Sequence, residues 1–269
     1  MSHPQKPALA RAADWLALIA SGLLILLFLL FRGEELRHDR LHLGIALAIT
    51  LGFALVGRLS HGVTRSGAIA GAVVAFLMAS RDLRMFWILL VVFAVTLVAT
   101  RLGRTRKKQL RIAESDRGRS ASQVIANLGI AGVIMAIPSL ATWRILALAA
   151  LAEAAADTTS SEIGTAFPGR TVLISTWKTV APGIDGGISL RGTLAGLLAA
   201  TTVAVSGLVL ALTTLPQAIA IAATGTLGML IDSFLGATLE KRGTLNNDLV
   251  NLLGTASAVM VAWLVAASF

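Results

Sequence analysis

Apolar runs of about the 17–25 residues that a helix needs to cross a bilayer recur along nearly the whole chain. They fall at 15–31, 41–57, 66–80, 84–100, 122–138, 141–157, 192–212, 216–239 and 248–268. Backbone polar groups inside hydrocarbon must be satisfied within the segment that carries them, which leaves the helix as the spanning form for runs of this length. The expected fold class is therefore all-α, a polytopic helical membrane protein of about nine transmembrane helices. It is read as one integral membrane domain over 1–269, with N-terminal helices and a basic loop in 14–121 and motif-bearing helices in 122–269. A hydrophobic fraction of 56%, only 14% charged residues and a mean hydropathy of +0.80 exclude an ordinary soluble domain. The expected location is the cell membrane, multi-pass, and the inner membrane if the source is bacterial. Residues 1–14 lead into a run long enough to span, so the first helix is read as uncleaved.

The run at 66–80 is short and rich in small residues, and Gly67 and Gly71 in SGAIAG have the GxxxG spacing that suits close helix packing. Cysteine is absent, which excludes disulfides and thiolate metal sites. The histidines are His3, His38, His42 and His61, and His38 and His42 are read as interfacial side chains, with a metal site as the lesser reading.

Basic residues set the expected orientation. With nine spans, 17 of the 23 Lys and Arg fall on the N-terminal side and 6 on the other, so the positive-inside rule puts the N-terminus in the cytoplasm. The segment RLGRTRKKQLRIAESDRGRSASQ alone carries eight of them. It reads as a topology determinant that touches anionic headgroups rather than as a nucleic-acid surface, so no nucleic-acid partner is expected. Its end, with Arg117 and Arg119, offers a further reading as a phosphate contact.

Charge is uneven along the chain. Through residue 150 there are 18 basic and 7 acidic residues, and beyond it 5 and 7. The later acids sit at helix ends or inside apolar runs, where an ionisable group normally faces a polar partner or cavity. Glu153 and Asp157 are four apart and share a helix face, which Ser161 continues, and Glu162 follows. Glu153 alone is equally an interface-level carboxylate and a functional one. The segment 169–196 then places Lys178 and Arg191 around a turn with Gly183, Gly186, Gly187 and Asp185. Glycines let backbone amides turn toward a ligand oxygen, a helix starting near Gly192 aims its positive end there, and Ser189 and Thr193 add hydroxyls. The alternative is a flexible re-entrant turn, and no Walker-type GxxxxGK[ST] is present. Farther on, Asp232 lies near the end of the eighth run, and Asn246, Asn247, Asp248 and Asn251 open the ninth. One such residue is a helix cap, while four in six positions exceed what a cap needs.

On this topology Asp157, Glu162, Lys178, Arg191, Asp232 and Asp248 lie at the cytoplasmic end of their helices. Carboxylates bind Mg²⁺ together with substrate phosphates, and Lys and Arg neutralise phosphate oxygens. That combination suits transfer between a cytosolic nucleotide and a lipid phosphate.

ADTTSSEIG, GGISLRGTLAG, DSFLGATLE and NNDLVN, in that order, closely resemble the membrane family described as domain of unknown function ninety-two, also known as the transmembrane protein nineteen family. SGAIAG and GRSASQVIANLG resemble its N-terminal motifs, and the similarity runs from about Leu43 to the C-terminus. Plant members include phytyl-phosphate kinase, which converts a prenyl monophosphate to the diphosphate. A looser pattern, carried by Asp157, Ser161, Gly164, Lys178, Gly187, Ser189, Gly192 and Thr193, is similar to CTP-dependent dolichol and phytol kinases. Thr159 stands where the family often has Trp, and Ala156 where it commonly has Gly; neither position supplies a ligand.

The resemblance implies a lipid-phosphate kinase acting on a prenyl-type lipid phosphate among membrane lipids, with a nucleotide triphosphate, CTP suspected, as donor. Asp157, Asp232 and Asp248 are the expected Mg²⁺ ligands, with Glu162 assisting. Lys178 and Arg191 are expected on nucleotide phosphates, with Arg119 as a further candidate. Ser161, Gly187, Ser189, Gly192, Thr193, Asn246, Asn247 and Asn251 complete the expected site. Two rival readings are a transporter or ion-coupled carrier and a non-catalytic lipid-binding scaffold. Nothing in the sequence sets an oligomeric state.

Overall fold

The computed structural model describes residues 7–34, 39–103, 118–138, 140, 142–167 and 169–266. Nine α-helices lie among the described residues: α1 Pro7–Arg32, α2 Arg40–Leu59, α3 Arg65–Arg81, α4 Leu83–Arg101, α5 Ala121–Ala136, α6 Trp143–Ala166, α7 Leu190–Val209, α8 Leu215–Leu235 and α9 Asn247–Ala266. One π-helical turn, Gly236–Glu240, continues α8. Two three-residue strands, β1 Thr171–Leu173 and β2 Gly187–Ser189, pair antiparallel between α6 and α7. Each expected span thus has its helix. Six helices have the length and apolarity to cross a membrane, and α3, α5 and α6 fall outside that set. Most of the basic loop, including Arg117, lies outside the described residues, as does His38.

The chain divides into two compact units. Among the described residues one contains 7–89 and 118–143, and the other contains 90–103 and 144–266.

In the first unit the starts of α3 and α5 are tied together by backbone. Thr64 N–H donates to the Arg119 carbonyl over 2.9 Å, and Arg119 N–H donates to the Gly62 carbonyl over 3.0 Å. Thr64 and Ser120 cap their helices by accepting from the amides of Gly67 and Gln123. Asp14 of α1 accepts from Ser66 Oγ at 2.8 Å and from the Ser122 amide at 3.2 Å. Gly67 is required here, because a Cβ would lie 2.2 Å from the Arg119 carbonyl oxygen. Gly71, its expected packing partner, has nothing within 4 Å of that position, so the GxxxG reading holds at one glycine only. At the opposite ends of these helices Arg81 donates to carbonyls at the end of α5, including Ile134 at 2.8 Å, and its guanidinium lies 4.4 Å from the Trp143 ring centroid. His42 Nε2 contacts the Ser80 carbonyl oxygen at 3.1 Å.

In the second unit α6 is the central element. WRILALAALAEAAADTTSSEIGTA is dense in alanine, the strongest helix former, and its small side chains let neighbours approach on every side. Residues 145–156 are buried throughout. By contrast α7, α8 and α9 expose large apolar side chains outward, Leu198, Ile219 and Trp263 among them, as lipid-facing helices do. The sequence places the end of this helix near residue 157 with a loop beyond it; α6 instead runs on to Ala166, so Thr158 to Gly164 are helical. Close packing explains the extension. A Cβ on Gly192 of α7 would lie 2.8 Å from the Ser160 carbonyl oxygen, and one on Gly196 would lie 3.0 Å from that of Ala156. Polar residues are carried into the helix by a backbone-to-backbone contact that only glycine allows.

Candidate functional site

The second unit runs its helices up and down. The end of α6, the start of α7, the end of α8 and the start of α9 therefore fall together, with the β-hairpin between α6 and α7 over them. Gly186, at φ +75°, sits against the π-helical turn: a Cβ there would lie 2.4 Å from Ala237 Cβ. This contact seats the glycine-rich segment on the end of α8.

Carboxylates gather at that place. Asp157 of α6 and the buried Asp232 of α8 are in electrostatic contact. Glu240, at the end of the π-helical turn, is in electrostatic contact with Asp185 of the hairpin segment, Asp157 and Asp248 of α9. One turn deeper, Glu153 Oε2 accepts from Thr255 Oγ1 of α9 at 2.6 Å. Glu153 is fully buried, and its Oε1 takes no hydrogen bond among the described residues. The π-helical turn matters to this grouping. Its wider winding shifts the helix face between Asp232 and Glu240, and such turns recur at functional sites.

The three aspartates expected to hold a metal are therefore brought to one end of one unit, but not into one closed set. Asp157 pairs with Asp232, while Asp248 neighbours Glu240. Among the described residues no three carboxylate or imidazole groups are close enough to hold a metal ion by themselves. The donor set is hard oxygen throughout, which suits Mg²⁺, an ion commonly held by one or two carboxylates with substrate phosphates supplying the rest.

Other expected residues take identifiable places. Ser189 Oγ accepts from the Gly192 amide at 3.2 Å and caps α7, and Asn246 Oδ1 accepts from the Leu249 amide at 2.9 Å and caps α9. Gly192 is a packing glycine against α6, and Gly187 lies in β2. Ser161 Oγ donates back to the Thr158 carbonyl at 3.1 Å. Thr255 Oγ1 lies 2.9 Å from the Asn251 carbonyl, linking Asn251 to the Glu153 contact. Glu162 and Thr193 are half-buried on α6 and α7, and Asn247 is exposed at the first position of α9. Arg191 is exposed and donates to the Phe167 carbonyl at 3.4 Å, at the end of α6. Lys178 is exposed in the turn after β1, beside Trp177, which is 70% exposed and holds φ +57°. Arg119 belongs to the first unit, where its backbone joins α3 to α5.

Glu240 is the member that sequence reading passes over. LEKR at a helix end looks like an ordinary solvated terminus, and no local signal announces the π-helical turn that brings Glu240 toward Asp157 and Asp185. Asp185 is visible as an acid in a glycine-rich turn, yet its meeting with Glu240 depends on where the hairpin docks.

Packing and site together define a polytopic integral membrane protein with an acid-rich polar cluster at one end of a helical unit. The chain belongs to the family described as Integral membrane protein DUF92, which it matches over residues 48–260. It is similar to the uncharacterized membrane protein MJ0933 of Methanocaldococcus jannaschii, 31% identical over 219 residues that cover 80% of this chain and 90% of the relative. Protein VTE6, chloroplastic, of Arabidopsis thaliana is 31% identical over 210 residues, 72% of this chain and 63% of that protein. Protein PGR of the same plant is 33% identical over 207 residues, 66% of this chain and 72% of the relative. No solved structure matches significantly.

Proposed function

We propose that this protein is a membrane lipid-phosphate kinase that transfers the γ-phosphoryl group of a nucleoside triphosphate, CTP or similar, to a prenyl-type monophosphate at the cytoplasmic face. On this reading all nine helices lie in the membrane and the N-terminus is cytoplasmic. The observation that carries it is the meeting of Asp157 with Asp232, beside Glu240 and Asp248, at the end of the unit that also presents Lys178 and Arg191. Family membership and the motif resemblance to a family with a phytyl-phosphate kinase among its plant members support the same chemistry.

In the reaction an oxygen of the lipid monophosphate attacks the γ-phosphorus. A new P–O bond forms as the bond from γ-phosphorus to the β,γ-bridging oxygen breaks, giving a lipid diphosphate and a nucleoside diphosphate. The attacking oxygen is already anionic, so no strong base is required, and positioning with charge neutralisation supplies the rate. Mg²⁺ bound here would neutralise phosphate charge, held by Asp157 and Asp232, with Asp248 and Glu162 assisting. Lys178 and Arg191 would hold nucleotide phosphates, and Asn247 would orient a phosphate or the ribose. Ser189, Gly192 and Asn246 serve the site by fixing the helix ends that carry it.

The test is transfer of labelled phosphate from CTP or ATP to phytyl or geranylgeranyl phosphate by the detergent-purified protein. A labelled lipid diphosphate is expected; its absence with every donor and acceptor pair overturns the proposal. One observation favours a second reading, an ion-coupled carrier: Glu153 is a fully buried carboxylate between packed helices, where ionisable groups often mark ion paths. Nucleotide-independent solute flux in proteoliposomes would favour that reading.

A further inference from the structure

Glu153 sits one helical turn deeper in α6 than Asp157, with only 1% of its surface exposed. Thr255 satisfies its Oε2, while Oε1 has no hydrogen-bond partner among the described residues. No lysine or arginine among them pairs with Glu153, and its charged neighbours are acids, Asp157 and Asp232. A buried polar atom left without a protein partner calls for an explanation, commonly a bound water or ion. A carboxylate facing other carboxylates in a medium of low polarity loses its charge by taking up a proton or by binding a cation, and the oxygen donors gathered here suit a cation.

Glu153 and Asp232 meet over the backbone of α9 at this point. Glu153 Oε1 and Asp232 Oδ2 lie 2.8 Å and 3.0 Å from the position a Cβ on Gly254 would take. A Cβ on Gly228 of α8 would lie 2.7 Å from Glu153 Cγ and 3.0 Å from the Gly254 carbonyl oxygen. Two glycines, on two helices, thus let the two carboxylate side chains pack directly against backbone. A hydroxyl and a carbonyl oxygen lie beside the Glu153 side chain, from Thr255 and Gly254. All are hard donors of the kind Mg²⁺ takes.

We infer that Glu153 and Asp232 form an inner site for a second divalent cation of the Mg²⁺ class, one turn below the Asp157–Asp232 pair and sharing Asp232 with it. The inference rests on the reading of Asp157 and Asp232 as the outer cation pair. A carboxylate that bridges two ions holds them at the short separation used by two-metal phosphoryl-transfer sites.

The experiment titrates Mn²⁺ alone into the purified full-length protein in detergent, with no nucleotide or lipid, and follows the electron paramagnetic resonance signal of free Mn²⁺. With no substrate phosphate to complete the outer pair, the wild type is expected to bind at least one ion per chain, at the inner site. E153Q is expected to bind one fewer. A wild type that binds no ion overturns the inference, as does E153Q that binds as many ions as the wild type. Should E153Q fail to purify as a monodisperse species, D157N decides: it leaves Glu153 and Asp232 in place and is expected to keep the inner ion, and its loss overturns the inference. An ion lost in E153Q, with no phosphate transfer by the wild type, overturns the kinase reading and leaves the inner site standing, and transfer by a wild type whose ion count E153Q does not change does the reverse.

Discussion

Thr255 Oγ1 donates to Glu153 Oε2 over 2.6 Å and so joins α9 to α6 across 102 residues of sequence. The bond holds the first half of α9, and with it Asp248 and Asn251, against the acidic face of α6. Replacing Thr255 with Val keeps the shape and removes the donor, which leaves Glu153 Oε2 buried without its hydroxyl partner. Loss of one partner of a buried polar pair costs about 1–3 kcal/mol. Thermal unfolding of the T255V protein in detergent is expected to show a lowered Tm, and an unchanged Tm would mean that this bond does not tie the two helices.

The contact of α6 with α7 depends on absent side chains. Gly192→Ala places a methyl group 2.8 Å from the Ser160 backbone oxygen, which cannot swing aside as a side chain would. Overpacking of this kind costs about 1–3 kcal/mol. Because the contact also sets the start of α7 against the end of α6, the same variant is expected to lose activity beyond what its lowered Tm explains. Parallel unfolding and rate measurements at a temperature where both proteins stay folded check this.

Ser189 and Lys178 separate structure from substrate contact. Ser189 caps α7, so Ser189→Ala is expected to cost about 1 kcal/mol of stability, read from the thermal midpoint. Lys178 is exposed in the hairpin turn, so Lys178→Ala is expected to leave the Tm unchanged. Its effect belongs to the nucleotide: removing a charge-assisted contact to phosphate, worth about 1.5–3 kcal/mol, raises KM for the donor by about 10-fold or more. Steady-state kinetics over a range of nucleotide concentration distinguish the two outcomes.

Much of this arrangement is legible in the chain because membrane helices announce themselves. The apolar runs lie at the nine helices, and even the short run at 66–80 marks α3. Where the sequence misleads, the cause is a contact between distant segments. The apolar run stops at 157, yet Gly192 and Gly196 pack on the stretch beyond it and keep Thr158 to Gly164 helical. The hairpin strands are three residues long, too short to show the alternation that reveals a strand. Ser189 and Asn246 follow ordinary capping chemistry and act as caps, although their motifs suggested ligand contacts. Asp157 and Asp232 are visible as acids out of place in apolar runs, and the fold brings them into electrostatic contact. Glu240 gives no such warning, since its approach to Asp157 follows from a π-helical turn.

The kinase reading concentrates its demands on Asp157, which pairs with Asp232 and neighbours Glu153 and Glu240. Asp157→Asn preserves size and hydrogen-bonding capacity while removing a charge and a metal-binding oxygen. The decisive measurement is the initial rate of labelled phosphate transfer from CTP or ATP to phytyl or geranylgeranyl phosphate, wild type against Asp157→Asn, at saturating Mg²⁺ and matched Tm. Loss of a main electrostatic element of such a site lowers the rate by about 100-fold or more, which is the result predicted. A wild-type rate in the variant would contradict the account, since phosphate transfer would then proceed without the carboxylate around which the site is built.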